Sequence, residues 1–147
     1  MTYFADLTPY TYLPGTVPPG FTALNVGWLA APHDHLTGAP PAGFTERLGL
    51  LCRDEQRAQT RGMHACDRPH ADGSPGFPVN AVLGGTSVLL GTAEVRVTTA
   101  EGVWLCAPTM VHHYVTHHAY LPPPAFTEAV LAGRVTPSDR PRPPGRA

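Results

Sequence analysis

Apolar and polar positions alternate along Leu24-Asn25-Val26-Gly27-Trp28-Leu29, with Leu24, Val26 and Trp28 on one face, and this predicts a strand. The same period of two recurs in Thr92–Thr98. There Ala93, Val95 and Val97 face one way while Glu94 and Arg96 face the other. The turn formers Ala100-Glu101-Gly102 return the chain into Val103–Cys106, so these two runs predict a hairpin at the centre of a sheet. Thr86–Leu90 and Arg61–Cys66 are shorter strand candidates. Phe44, Leu48, Leu51 and Cys52 follow a helical spacing that predicts a helix from about Pro41 to Ala58, with Pro41 at its first position and Glu46 in its first turn. Pro108 opens a second helix that runs to His118, with Val111, Tyr114 and Val115 as its apolar side. After the break at Pro122-Pro123-Pro124 comes a third, Ala125–Ala132, with Gly133 just past its end.

The segments between are punctuated by Pro and Gly. Residues 31–40 and 67–80 read as loops, and residues 1–22, rich in Tyr, Thr and Pro, read as an extended stretch that wraps the domain. The helix starts Pro40-Pro41-Ala42-Gly43-Phe44-Thr45-Glu46 and Pro122-Pro123-Pro124-Ala125-Phe126-Thr127-Glu128 use one recipe twice. The elements add up to an α+β fold: a small antiparallel sheet with two to three helices packed on it, forming one domain over residues 1–133. Residues 134–147 are rich in Pro and Arg and lack apolar periodicity. They are expected to form a disordered tail whose removal leaves folding intact.

Composition narrows the function classes. Hydrophobic residues make up 42% of the 147 positions and charged residues 14%, enough for a core beneath a surface short of charge. No apolar run approaches the roughly 18 residues of a transmembrane helix. Met1–Tyr10 lacks the basic start and apolar run of a secretory signal, so the expected compartment is the cytoplasm and no membrane role is expected. The basic residues are all Arg, and none cluster on an expected helix or strand, which excludes a nucleic-acid footprint. The odd set Cys52, Cys66 and Cys106 argues against a disulfide framework.

Eight histidines remain, and their placement is the informative feature. On a strand His64 and Cys66 would share a face. His70 follows at a Cys-x-x-x-His spacing on a loop. His112, His113, His117 and His118 crowd one helix, where His113 and His117 are i, i+4 neighbours. Zinc accepts thiolate and imidazole in a tetrahedral set. A pair from the strand and loop with a pair from the helix would build one. The candidate ligands are therefore His64, Cys66, His70, His113, His117 and His118, with Cys66 and His113 foremost and Zn²⁺ as the cofactor. The competing reading leaves the helix histidines as surface and capping residues. Cys52 and Cys106 are expected to be packed, and no signature supports a Cys–His nucleophile built on Cys66 with His64 or His113. His33 and His35 flank Asp34 in a solvated loop. Glu94 and Arg96 read as the polar face of a half-exposed sheet. Gly84-Gly85 precedes a strand and is no phosphate loop.

The opening Met1-Thr2-Tyr3-Phe4-Ala5-Asp6-Leu7-Thr8-Pro9-Tyr10, with Leu24–Leu29, Arg61-Gly62-Met63-His64-Ala65-Cys66, Gly91–Val97, Ala107-Pro108-Thr109, His113-Tyr114-Val115 and His118-Ala119-Tyr120, resembles a family of small bacterial, largely actinobacterial, proteins built on a domain of unknown function. The resemblance spans about residues 1–132 and implies a His-x-Cys-x-x-Cys motif. Here Pro69 stands at its last position with His70 one residue on, so either His70 replaces the thiol or the site is degraded. Three functions remain: a non-enzymatic protein whose metal stabilises the fold and which acts through an unknown protein or small-molecule partner; a metal-dependent enzyme such as a hydrolase, with Glu94 as its nearest strand carboxylate; and a metal-free interaction or immunity-type module. The balance leans away from an enzyme.

Overall fold

A computed structural model describes residues 3–138. Its elements run β1 (Ala23–Asn25), α1 (Phe44–Asp54), β2 (Val79–Leu83), β3 (Thr86–Leu90), β4 (Glu94–Thr98), β5 (Trp104–Pro108), α2 (Val111–His117) and α3 (Pro124–Ala132). The architecture is α+β, with three helices on small sheets. The expected hairpin is present: β4 and β5 pair antiparallel, with Val95 opposite Ala107 and Val97 opposite Leu105. β5 is the middle strand, and β1 lies on its far edge. The β1–β5 pairing is parallel, so this sheet is mixed and not purely antiparallel. Thr86–Leu90 forms a separate two-stranded sheet with β2, a strand that the Pro and Gly punctuation around Pro78 concealed.

The alternation of Val95 and Val97 does what its period requires. Both are fully buried in the main core with Leu105, Ala107, Val111, Tyr114 and Phe126. The two similar helix starts meet in that core, where the rings of Phe44 and Phe126 pack edge to face at 6.1 Å. α1 is shorter than its spacing predicts. It begins after Gly43, because Pro41 forms the preceding turn by accepting the Phe44 N–H, and it ends at Asp54. Beyond it, Arg57 exchanges both backbone bonds with Glu94 and so joins the open edge of β4. Gly133 ends α3 in the left-handed conformation, as expected.

The N-terminal segment lies along β1, with bridges Phe4–Trp28 and Pro9–Leu24, and it covers the second face of the mixed sheet. Glu94 and Arg96 point into that face and are about 2% exposed, which overturns the half-exposed reading. The Glu94 carboxylate accepts from Arg96 at 2.9 Å and from the Tyr10 hydroxyl at 2.6 Å. The Arg96 guanidinium also donates to the carbonyl and hydroxyl oxygens of Thr16. An ion pair so deeply buried is tolerated only when its remaining hydrogen-bonding positions are filled, and the strap supplies those partners.

The first residues of the expected tail are held against the fold. Val135 bridges Val97, the Thr136 N–H donates to the Arg96 carbonyl, and Arg57 donates to the carbonyls of Thr136 and Pro137. The sequence showed no periodicity here because two or three residues suffice to add a bridge to an open edge. Residues 139–147 lie outside the described residues. Truncation after Gly133 is therefore expected to lower stability by about 2 kcal/mol, the net worth of the bonds removed; thermal unfolding of the truncated chain against full length measures it, and an unchanged melting temperature would contradict it.

Candidate metal centre

The segment Arg61–Cys66 forms no regular strand. It runs beside the ends of β3 and β4, held by single backbone bonds: Thr60 donates to Thr92, His64 to Gly91 and Cys66 to Gly76. Two glycines permit this approach. A Cβ at Gly76 would lie 1.8 Å from the Cys66 carbonyl oxygen, and one at Gly91 would lie 2.7 Å from that of His64. Gly91 also sits at φ 97°, a conformation costly for any residue with a side chain. Past Cys66 the chain is fastened at its outer side, where Asp67 accepts the Ala31 N–H and Arg68 donates to the His33 carbonyl.

The loop so placed delivers Cys66 and His70 to α2 and the turn that follows it. The ligand atoms of Cys66, His70, His113 and His118 all lie within 4.8 Å of one another, and this group can hold a metal ion. Cys66 Sγ lies 3.3 Å from His118 Nε2, and His70 Nε2 lies 2.9 Å from His113 Nε2. The three rings form a near-equilateral triangle, with centroid separations of 5.1, 5.0 and 5.1 Å. Imidazoles bound to one zinc ion through nitrogens about 2.0–2.1 Å away have centroids roughly 5 Å apart. The rings therefore already stand at the spacing that a shared ion requires.

Not every histidine of the candidate set joins the group. His64 turns the other way, with its ring 5.9 Å from both Tyr12 and Trp28 beneath the N-terminal strap. The i, i+2 rule that paired it with Cys66 presumes a regular strand, and none forms. His117 is exposed and stacks on His113 at 4.7 Å, outside the four. His35, read as solvated, touches the group from outside, with Nε2 3.0 Å from the His118 carbonyl. Cys52 and Cys106 are fully buried, and burial pushes each thiol up to about 12, so neither is a nucleophile near neutral pH.

The chemistry of the four suits a cation. Burial, aided by the neighbouring imidazoles of His117, His118, His70 and His112, pulls His113 down to about 4. Burial likewise lowers His118. Both rings are thus neutral at physiological pH, with lone pairs to donate. Burial raises the Cys66 thiol, so its ionisation awaits a positive partner. The neutral rings of His113 and His118 and the un-ionised thiol of Cys66 repel no incoming cation.

A family model described as "Domain of unknown function (DUF7919)" matches residues 2–131. The chain belongs to this family. Comparisons with curated proteins and with solved structures gave no match.

The sign of the His113 shift sets a pH dependence. The folded state keeps His113 neutral down to about pH 4 while the unfolded state takes up its proton near the ordinary 6.5, so the unfolded chain binds more protons between these values. In the metal-free protein this stabilising contribution is present above pH 6.5 and lost as the pH falls toward 4, by on the order of 2 kcal/mol. Denaturant unfolding across that window is expected to show a shallower slope for His113→Gln than for wild type; equal slopes would contradict it.

Proposed function

We propose that this is a small protein whose fold is fastened by a zinc ion bound through Cys66, His70, His113 and His118, and that it acts through a partner and not by catalysis. The observation that carries this reading is the convergence of the four ligand atoms within 4.8 Å. A single thiolate among imidazoles suits zinc, a borderline-soft ion that takes both. Four protein ligands complete a tetrahedral set, which is the mark of structural sites; catalytic ones keep a position open. In this reading His70, one residue past Pro69, supplies the ligand that the family pattern places there as cysteine.

The position of Glu94 weighs against a hydrolase. A metal-dependent hydrolase needs a carboxylate near the ion to handle the proton of an attacking water. Both oxygens of Glu94 are taken by Tyr10 and Arg96 on the sheet face turned away from Val95 and Val97, whose core contains Cys66. A reduced thiol ligand fits a reducing compartment, and the three cysteines are free; the proposed location is the cytoplasm. Among the described residues no helix is long and apolar enough to cross a membrane.

The test is elemental analysis of the full-length chain purified without a histidine tag. The expected result is one zinc per chain, lost together in Cys66→Ser and His113→Ala. Removing the ion should cost most of the fold's stability, because structural zinc binds with roughly 10–16 kcal/mol where a domain's net stability is about 5–15 kcal/mol. Stripped protein that stays folded at wild-type melting temperature would favour the enzyme reading. No stoichiometric metal, with both variants as stable as wild type, would leave the metal-free interaction module.

A further inference from the structure

Of residues 31–39, His35 alone is not exposed. Its half-buried ring packs at 63° to that of Tyr120, with 5.8 Å between centroids, and its Nε2 lies 3.0 Å from the backbone carbonyl oxygen of His118. A carbonyl only accepts, so Nε2 carries the proton and donates. Nδ1 is buried and has no partner among the described residues.

His118 needs such a hold. It caps the C-terminal end of α2, where backbone carbonyls lack intrahelical donors. The next residue, Ala119, sits at φ 52°, in the left-handed region that a side chain disfavours. Local backbone preference alone does not keep the turn that sets His118 Nε2 beside Cys66. Residues 35–38 hold it from outside: His35 on the His118 carbonyl, the Gly38 N–H on the Ala119 carbonyl, and the Leu36 carbonyl accepting the Leu121 N–H. The same stretch reaches the other half of the site, where the Ala31 N–H donates to Asp67 and the His33 carbonyl accepts from Arg68. One segment thus grips both the loop that carries Cys66 and His70 and the turn that carries His118, and it supplies none of the four ligands.

We propose that residues 31–38 are a clamp that sets the spacing of the metal centre, with His35 as its positioning residue: by donating to the His118 carbonyl it fixes the turn from which the His118 imidazole meets the ion. This rests on the zinc reading above. Groups that orient a metal's ligands without touching the metal act on coordination geometry, and their loss typically costs about 10- to 100-fold in affinity. A residue that only adds stability weakens loading through folding and leaves the coordination of the loaded protein unchanged.

The test uses the full-length chain loaded with cobalt, whose visible bands report ligand geometry and the Cys66 thiolate. Zinc affinity is measured beside it by competition with a chelator. Two replacements of similar length are compared: His35→Gln, whose amide can donate where Nε2 does, and His35→Met, which has no such donor. Val97→Ala, in the main core, is the control for lost stability. His35→Met is expected to bind zinc roughly tenfold more weakly and to give altered cobalt bands. His35→Gln should keep the wild-type spectrum, and Val97→Ala should melt lower with that spectrum unchanged. A wild-type spectrum in His35→Met, with no greater loss of affinity than in Val97→Ala, would overturn the proposal. Should His35→Met not fold, His35→Gln decides: the wild-type spectrum sustains the proposal and an altered one overturns it. A wild-type chain that takes up neither metal would fail earlier, at loading, and would remove the zinc reading itself.

Discussion

Two elements that nothing else joins strongly have to meet for the candidate site to exist. One is the stretch from Cys66 to His70, which has no regular structure and hangs on one backbone bond from Cys66 to Gly76 and on the side chains of Asp67 and Arg68, which reach the backbone of Ala31 and His33. The other is α2, seven residues long and too short to be stable alone. α2 is held from behind by Val111, Tyr114 and Val115, which lock it into the main core. The loop has far less behind it, apart from Cys66 itself. A single ion bridging the two would close this gap, since it ties a weakly packed segment to the best-packed part of the fold.

The opposite face of the mixed sheet solves a related problem without metal. With charged residues at 14% of the chain, a buried ion pair is conspicuous. Glu94 and Arg96 are neutralised by each other and completed by Tyr10 and Thr16 from the strap and by backbone bonds to Arg57 and Thr136. Two irregular regions, strap and loop, thus lean on polar chemistry, the strap beside its apolar contacts with Trp28 and Trp104, whereas the regular elements are fixed by apolar packing. In the reading offered here, the first uses an ion pair and the second an ion.

What was legible in the sequence follows this division. Elements with apolar periodicity, the β4–β5 hairpin and the three helices, were readable because packing follows the repeat. β2 escaped because Pro78 and the glycines before it look like loop until the partner strand is known. The polar face of β4 was misread because alternation shows that two faces differ and not which is covered, and the cover came from residues 3–22, which have no repeat of their own. Cys66, His70, His113 and His118 were all within reach of spacing arguments, but so were His64 and His117. Spacing resolves direction only on regular structure. His64 sits on an irregular segment that turns it toward Trp28, and the choice between His117 and His118 depends on how α2 rotates against a loop far away in sequence. Gly76 and Gly91, which let that segment lie so close, left no signal beyond being glycine.

The central claim concerns which atoms surround one ion, and X-ray absorption at the zinc edge of the loaded, untagged chain reads those atoms directly. The account predicts a four-coordinate ion with one sulfur at about 2.3 Å and three imidazole nitrogens at about 2.0–2.1 Å. The sulfur should vanish in Cys66→Ser. A shell of nitrogen and oxygen alone, or one with more than one sulfur, would contradict it.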